Sequence, residues 1–136
     1  MCDASRTTYV SIDFKRSRVR IYKESLHMIG DPKYIQLMVN VDQRLVAIRG
    51  IDRDTRGSHA HKIILTKFNS EMCFEIYSQS FVSKLRSAFE GFDGDCTYRL
   101  TGTAFPNDRA VVFEISSMQK YERKEESLCW INQYTY

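Results

Sequence analysis

Ile21-Tyr22-Lys23-Glu24-Ser25-Leu26 returns further along the chain as Ile76-Tyr77-Ser78-Gln79-Ser80-Phe81. Ahead of the first copy, Arg18-Val19-Arg20-Ile21-Tyr22 alternates polar and apolar residues, the period of a half-buried strand whose polar face carries Arg18 and Arg20. Behind it, residues 23–29 form a short helical turn that Gly30 stops, with Pro32 just beyond. Two further echoes follow in the same order. Gly30-Asp31-Pro32-Lys33-Tyr34 matches Gly94-Asp95-Cys96-Thr97-Tyr98, and Arg44-Leu45-Val46-Ala47-Ile48 matches Arg109-Ala110-Val111-Val112-Phe113. The chain therefore reads as two units of hairpin, helix and hairpin, residues 8–50 and 62–116. Units built alike pack about a pseudo-twofold axis and leave clefts between similar surfaces.

The rest of the chain fits this plan. In residues 8–14, Val10, Ile12 and Phe14 share one face, against Tyr9, Ser11 and Asp13 on the other. Residues 34–40 and 44–50 make the second hairpin across Asn40-Val41-Asp42-Gln43, and Ile51 to Gly57 is a polar joint rich in turn formers. In the second unit, 63–68 and 72–77 form the first hairpin, while 97–104 and 109–116 form the last across Phe105-Pro106-Asn107-Asp108. Tyr22 and Tyr77 stand 55 apart but Gly30 and Gly94 stand 64 apart, so about nine extra residues, some two and a half turns, lengthen the second helix. Phe81, Leu85 and Phe89 recur at i, i+4 and i+8 as its buried face, with Ser83, Lys84, Arg86 and Ser87 elsewhere. Ser78 or Ser80 caps its start and Gly91 its end.

The expected fold is α+β, a β-rich single domain spanning 1–136. Each half, of about 60 residues, would be marginal alone, so one shared core is expected. A hydrophobic fraction of 43% with 12% aromatics suffices for that core. No apolar run is long enough to cross a bilayer and no greasy leader stands at Met1, so no membrane association and a cytoplasmic location are expected. Cys2, Cys73, Cys96 and Cys129 lie far apart without a CxxC pair, which reads as free thiols in a reducing compartment. A net charge of +3 is compatible with anionic partners and falls short of the usual nucleic-acid signature. The tail, 118–136, breaks the repeat. After the charged run 120–126 it carries Leu128-Cys129-Trp130-Ile131, which needs burial against its own body or, the favoured reading, a neighbouring subunit.

Catalysis requires a nucleophile with a base, paired carboxylates or a metal cluster. His59 and His61 flank Ala60 on one face of an expected strand, but no third metal ligand is implied nearby, and a polar edge beside the joint accounts for them better. His27 has no Ser, Cys or Asp partner implied. Gly-rich phosphate loops and nucleophile elbows are absent from the sequence, so no catalytic residue, metal ligand or cofactor is assigned and no enzymatic activity is expected. Binding remains. Arg109, Lys84 and Arg56 are candidates for phosphate, Phe81 or Phe105 for stacking a base, and His27 for the cleft side of the first helix.

Two resemblances bear on this. The run from Arg18 to Gly30, followed by a strand pair, resembles the AbrB-type swapped-hairpin element, which implies a DNA-binding transcriptional regulator. The chain has Ile21-Tyr22 and Ile76-Tyr77 where that family has Ile-Pro. A wider resemblance covers Tyr9 to Phe14, Arg18 to Gly30, Tyr34 to Asn40 and Tyr98 to Gly102, which together look like a phage and prophage family of Thoeris anti-defence sponges. That resemblance implies a protein that sequesters cyclic ADP-ribose isomers in the bacterial host cell and leaves them uncleaved. It also implies binding of cyclic oligonucleotides and assembly as a homo-oligomer, a dimer or larger. It supplies no ligand residues of its own.

Overall fold

The structure is a computed structural model that describes residues 6–52, 60–63 and 73–121. Its strands are β1 (Arg6–Asp13), β2 (Arg18–Tyr22), β3 (Tyr34–Asn40), β4 (Leu45–Ile51), β5 (His61–Lys62), β6 (Cys73–Tyr77), β7 (Thr97–Phe105), β8 (Ala110–Glu114) and β9 (Gln119–Tyr121). Helix α1 (Lys23–Met28) follows β2, and α2 (Gln79–Ala88) follows β6. All nine strands belong to one sheet, ordered β5-β3-β4-β8-β7-β1-β2-β6, with β9 beside the first half of β7. The architecture is α+β and β-rich.

Alternation builds the core. Val10, Ile12, Val19, Ile21, Ile35, Val46, Ile48, Phe74, Ile76, Leu100, Val111 and Phe113 point to one side of the sheet and are buried. Onto that side α1 lays Leu26, with Ile29 just after it, and α2 lays Phe81, Val82 and Leu85, with Phe89 at its end. Burying each such side chain stabilises the fold by about 1.5–3 kcal/mol. Where β8 pairs with β7, Gly102 lies opposite Phe113, and a Cβ on it would overlap the Val112 carbonyl and the Phe113 ring. Ser117 carries the chain from β8 to β9: its Oγ accepts from the Thr101 N–H at 2.9 Å and donates to the Glu114 carbonyl at 2.6 Å.

Four ladders join the first part of the chain to the second, β1 with β7, β3 with β5, and the two that follow. β2 pairs β6 antiparallel with Arg20 opposite Glu75 at the middle, and β4 pairs β8 with Ala47 opposite Val112 at the middle. Reciprocal backbone bonds flank the β4·β8 ladder, Gly50 N–H to the Arg109 carbonyl at 2.7 Å and Ile115 N–H to the Arg44 carbonyl at 3.1 Å. Arg44 and Arg109 both sit in the left-handed region, at φ 57° and 51°.

Two sequence expectations need adjustment. α2 has ten residues against six in α1, so only part of the extra length is helix. The remainder lies mainly in the connection 89–96, which Phe92 fills by stacking on Phe14 and Tyr98 closes by bonding Asp93 and Gly91. Of the expected strand 63–68, Ile63 lies beyond the end of β5, and 64–68 lie outside the described residues, as do most of the joint and the Trp130 tail. The first hairpin and the β7 to β8 hairpin fall where expected, and the β3 to β4 turn, at 41–44, lies one residue later than expected.

Candidate functional site

α2 starts because Ser78 leaves the strand extended and its Oγ accepts from the Phe81 N–H at 3.3 Å. The helix then lays Phe81 and Leu85 on the core but reaches β3 only in part, so the core-side Leu37 and Val39 stay half-covered. The gap is a cleft of about 320 Å3 lined by Leu37, Val39, His61, Ser78, Ser80, Phe81 and Lys84. Leu37, Val39 and Phe81 make it apolar. Polar groups gather at the α2 amino end, where the Ser78 and Ser80 hydroxyls are 3.4 Å apart and exposed Lys84 stands one turn on. His61 enters from β5, which pairs with β3 at Ile35. Such an end favours a negative charge through its free N–H groups and the helix dipole.

Beside α1, buried Ser25 bonds through its hydroxyl to that of Thr8 on β1.

Of the expected ligand residues, the structure brings two to this cleft, Phe81 and Lys84. Arg109 is elsewhere: its Nε donates to the Ile29 carbonyl at 3.3 Å and its Nη1 lies 2.8 Å from an Asp52 oxygen. His27, exposed, pairs with Asp31 at 3.0 Å at the end of α1. Phe105 is 43% exposed on the other side of the sheet, and Arg56 falls outside the described residues, as does His59. Ser78, Ser80, Leu37, Val39 and His61 were not singled out as ligand contacts. The serines were legible only as caps, Leu37 and Val39 only as strand residues, and His61 only as a polar edge beside the joint.

The strand face on which a DNA-binding reading rests is internally compensated. Arg18 lies 3.0 Å from Asp13 and 3.7 Å from Glu75, and Arg20 lies 2.8 Å from Glu75. Burial works to raise the Asp13 carboxyl, but hydrogen bonds from the Arg16 N–H and guanidinium and the charge of Arg18 outweigh it and hold it below its ordinary value. Burial pushes the Cys73 thiol up, away from reactivity. Among the described residues no group of three His, Cys, Asp or Glu side chains is placed to hold a metal ion, and no helix is long and apolar enough to cross a membrane.

Comparison with family models, with curated proteins and with solved structures gave no match.

Proposed function

We propose that this chain binds a small nucleotide-class anion and performs no reaction on it, acting as a sequestering protein in the cytoplasm of a bacterial host. The observation that carries the proposal is the α2 cleft, where Lys84 and two serine hydroxyls ring one end of an apolar slot. A phosphate at the amino end of α2 meets the helix dipole and Lys84, and a base or ribose lies on Leu37, Val39 and Phe81. Ligand clefts run from about 300 to 1,000 Å3, so this one holds a single nucleoside phosphate unit of a larger ring. Cyclic ADP-ribose isomers are the ligands implied by the sponge resemblance, with cyclic oligonucleotides next.

We read the two halves as copies of one unit. The middle of the β2·β6 ladder and that of the β4·β8 ladder support this, since Arg20 and Glu75, and Ala47 and Val112, are the residues that the sequence echoes equate. On that reading Ser25 and Ser80 are equivalent, and so are Thr8 and Ile63. The first half closes its cleft with a hydroxyl pair, and the second has an isoleucine in place of the threonine, so Ser80 faces the opening.

Titration calorimetry against cyclic ADP-ribose isomers tests the proposal. Saturable heat is expected, with Lys84→Ala weakening binding about five- to tenfold, as for one exposed charge-assisted bond, and Lys15→Ala, in the β1 to β2 turn, leaving it unchanged. No heat with any cyclic nucleotide removes the proposal.

A further inference from the structure

The outward side of the sheet carries a second surface, unrelated to the cleft. Across β3, β4, β8 and β7 one cross-strand row runs Met38, Ala47, Val112, Thr103. The row beside it runs Gln36, Arg49, Ala110, Phe105, and on the other flank Asn40, Leu45 and Glu114 stand in line. Met38 and Phe105 are 44% and 43% exposed, unusual for large apolar side chains on a sheet face, and Leu45, Ala47, Ala110 and Val112 between them are half-buried.

The charges on this face are anomalous in a second way. Every other guanidinium among the described side chains is engaged: Arg16, Arg18, Arg20 and Arg109 in ion pairs, Arg44, Arg86 and Arg99 over the rings of Phe89, Phe14 and Tyr9. Arg49 is exposed and, among the described residues, has no partner, nor has the exposed Glu114 carboxylate. The two stand at opposite ends of the β4·β8 ladder, Arg49 opposite Ala110 and Glu114 opposite Leu45, too far apart to meet within one chain.

We propose that this face seats a second copy of the chain, in an isologous dimer whose twofold axis runs along the row Met38, Ala47, Val112, Thr103. Rotation about that row turns the face onto itself and sets each Arg49 over Leu45 of the second copy, one strand from that copy's Glu114 and within reach of its carboxylate, so two ion pairs form at the rim of an apolar centre. On the axis each residue of the row meets its own copy, and the small Ala47 and Thr103 side chains leave room beside the paired Met38 and paired Val112 side chains at the spacing of packed sheets, about 10 Å. A nucleic acid is disfavoured by the apolar centre and by Glu114; a different protein would have no reason to need charges placed symmetrically about the row.

Sedimentation velocity of the full chain over a wide concentration range tests the proposal. The expected result is a monomer–dimer equilibrium that Arg49→Glu and Glu114→Arg each weaken at least tenfold, through two like-charge contacts apiece. The double variant R49E/E114R restores it. Both side chains are exposed and unpaired, so thermal melts of the singles are expected to match the parent, which separates lost association from lost folding. A strict monomer, a dimer indifferent to both single reversals, or a double variant as weak as either single overturns the proposal. So does a monomer whose Met38 resists peroxide oxidation, since another segment of the chain then covers the face.

Discussion

At the scale of single residues, the clearest consequences belong to arginines and to the carboxylate they surround. Asp13 is buried on the side of the sheet that faces away from the core, and Arg16 and Arg18 hold its charge there. Its folded pKa lies below the unfolded value, so its contribution to stability is present above about pH 4 and is lost as pH falls through the lower folded value. Asp13→Asn is expected to melt earlier than the parent at pH 7, and the gap should narrow in melts at pH 3. The turn arginines differ from each other in a testable way. Arg44 and Arg109 share a left-handed backbone that glycine tolerates better by about 1 kcal/mol. Arg44→Gly gives up only a guanidinium over Phe89, so it should fall within about 0.5 kcal/mol of the parent. Arg109→Gly gives up the bond to the Ile29 carbonyl and the pair with Asp52, so a net loss of about 1 kcal/mol is expected in denaturant titrations. The sequence marked Arg109 as a phosphate contact because it stands at a turn. Nothing in a linear reading reveals that a helix end from the other half folds over to occupy it.

At the scale of elements, most boundaries were legible because each carries its own local signal. Alternation marked β1 and β2, Gly30 at φ 87° stopped the chain after α1, and the i, i+4, i+8 spacing of Phe81, Leu85 and Phe89 marked α2. Helix length was less legible: the extra residues between Tyr77 and Gly94 divide between α2 and a loop held by rings, and the count of residues does not distinguish the two. The cleft itself was half legible. Phe81 and Lys84 follow from the helical spacing, whereas the half-covered Leu37 and Val39 depend on how far α2 reaches over β3, a tertiary property. Two substitutions test the element account. Ser78→Ala removes the α2 cap and is expected to cost about 1 kcal/mol in denaturant titrations. Gly102→Ala forces a methyl into the Val112 carbonyl and the Phe113 ring, and since neither is a flexible side-chain tip, a fall in melting temperature well beyond that of Ser78→Ala is expected.

At the scale of the whole molecule, we propose that the chain is one unit built twice, as the sequence echoes suggest. Strands β2 and β6, and strands β4 and β8, meet at the residues the echoes equate, and Arg44 and Arg109 exchange equivalent backbone bonds with the opposite half. β5 departs from the pattern. It sits on β3, where the counterpart of β1 would lie, but pairs Ile35 with His61 in a register the echoes do not give. That departure falls beside the open cleft, whereas beside α1 the Thr8 and Ser25 hydroxyls bond to each other. The central claim is that the open slot retains a nucleotide without altering it. The most direct measurement incubates the purified chain with a cyclic ADP-ribose isomer, removes free ligand, denatures the protein and weighs what is released by mass spectrometry. The account predicts recovery of the intact ring from the parent and much less from Lys84→Ala. Recovery of a cleaved product, or of nothing from the parent, would contradict it.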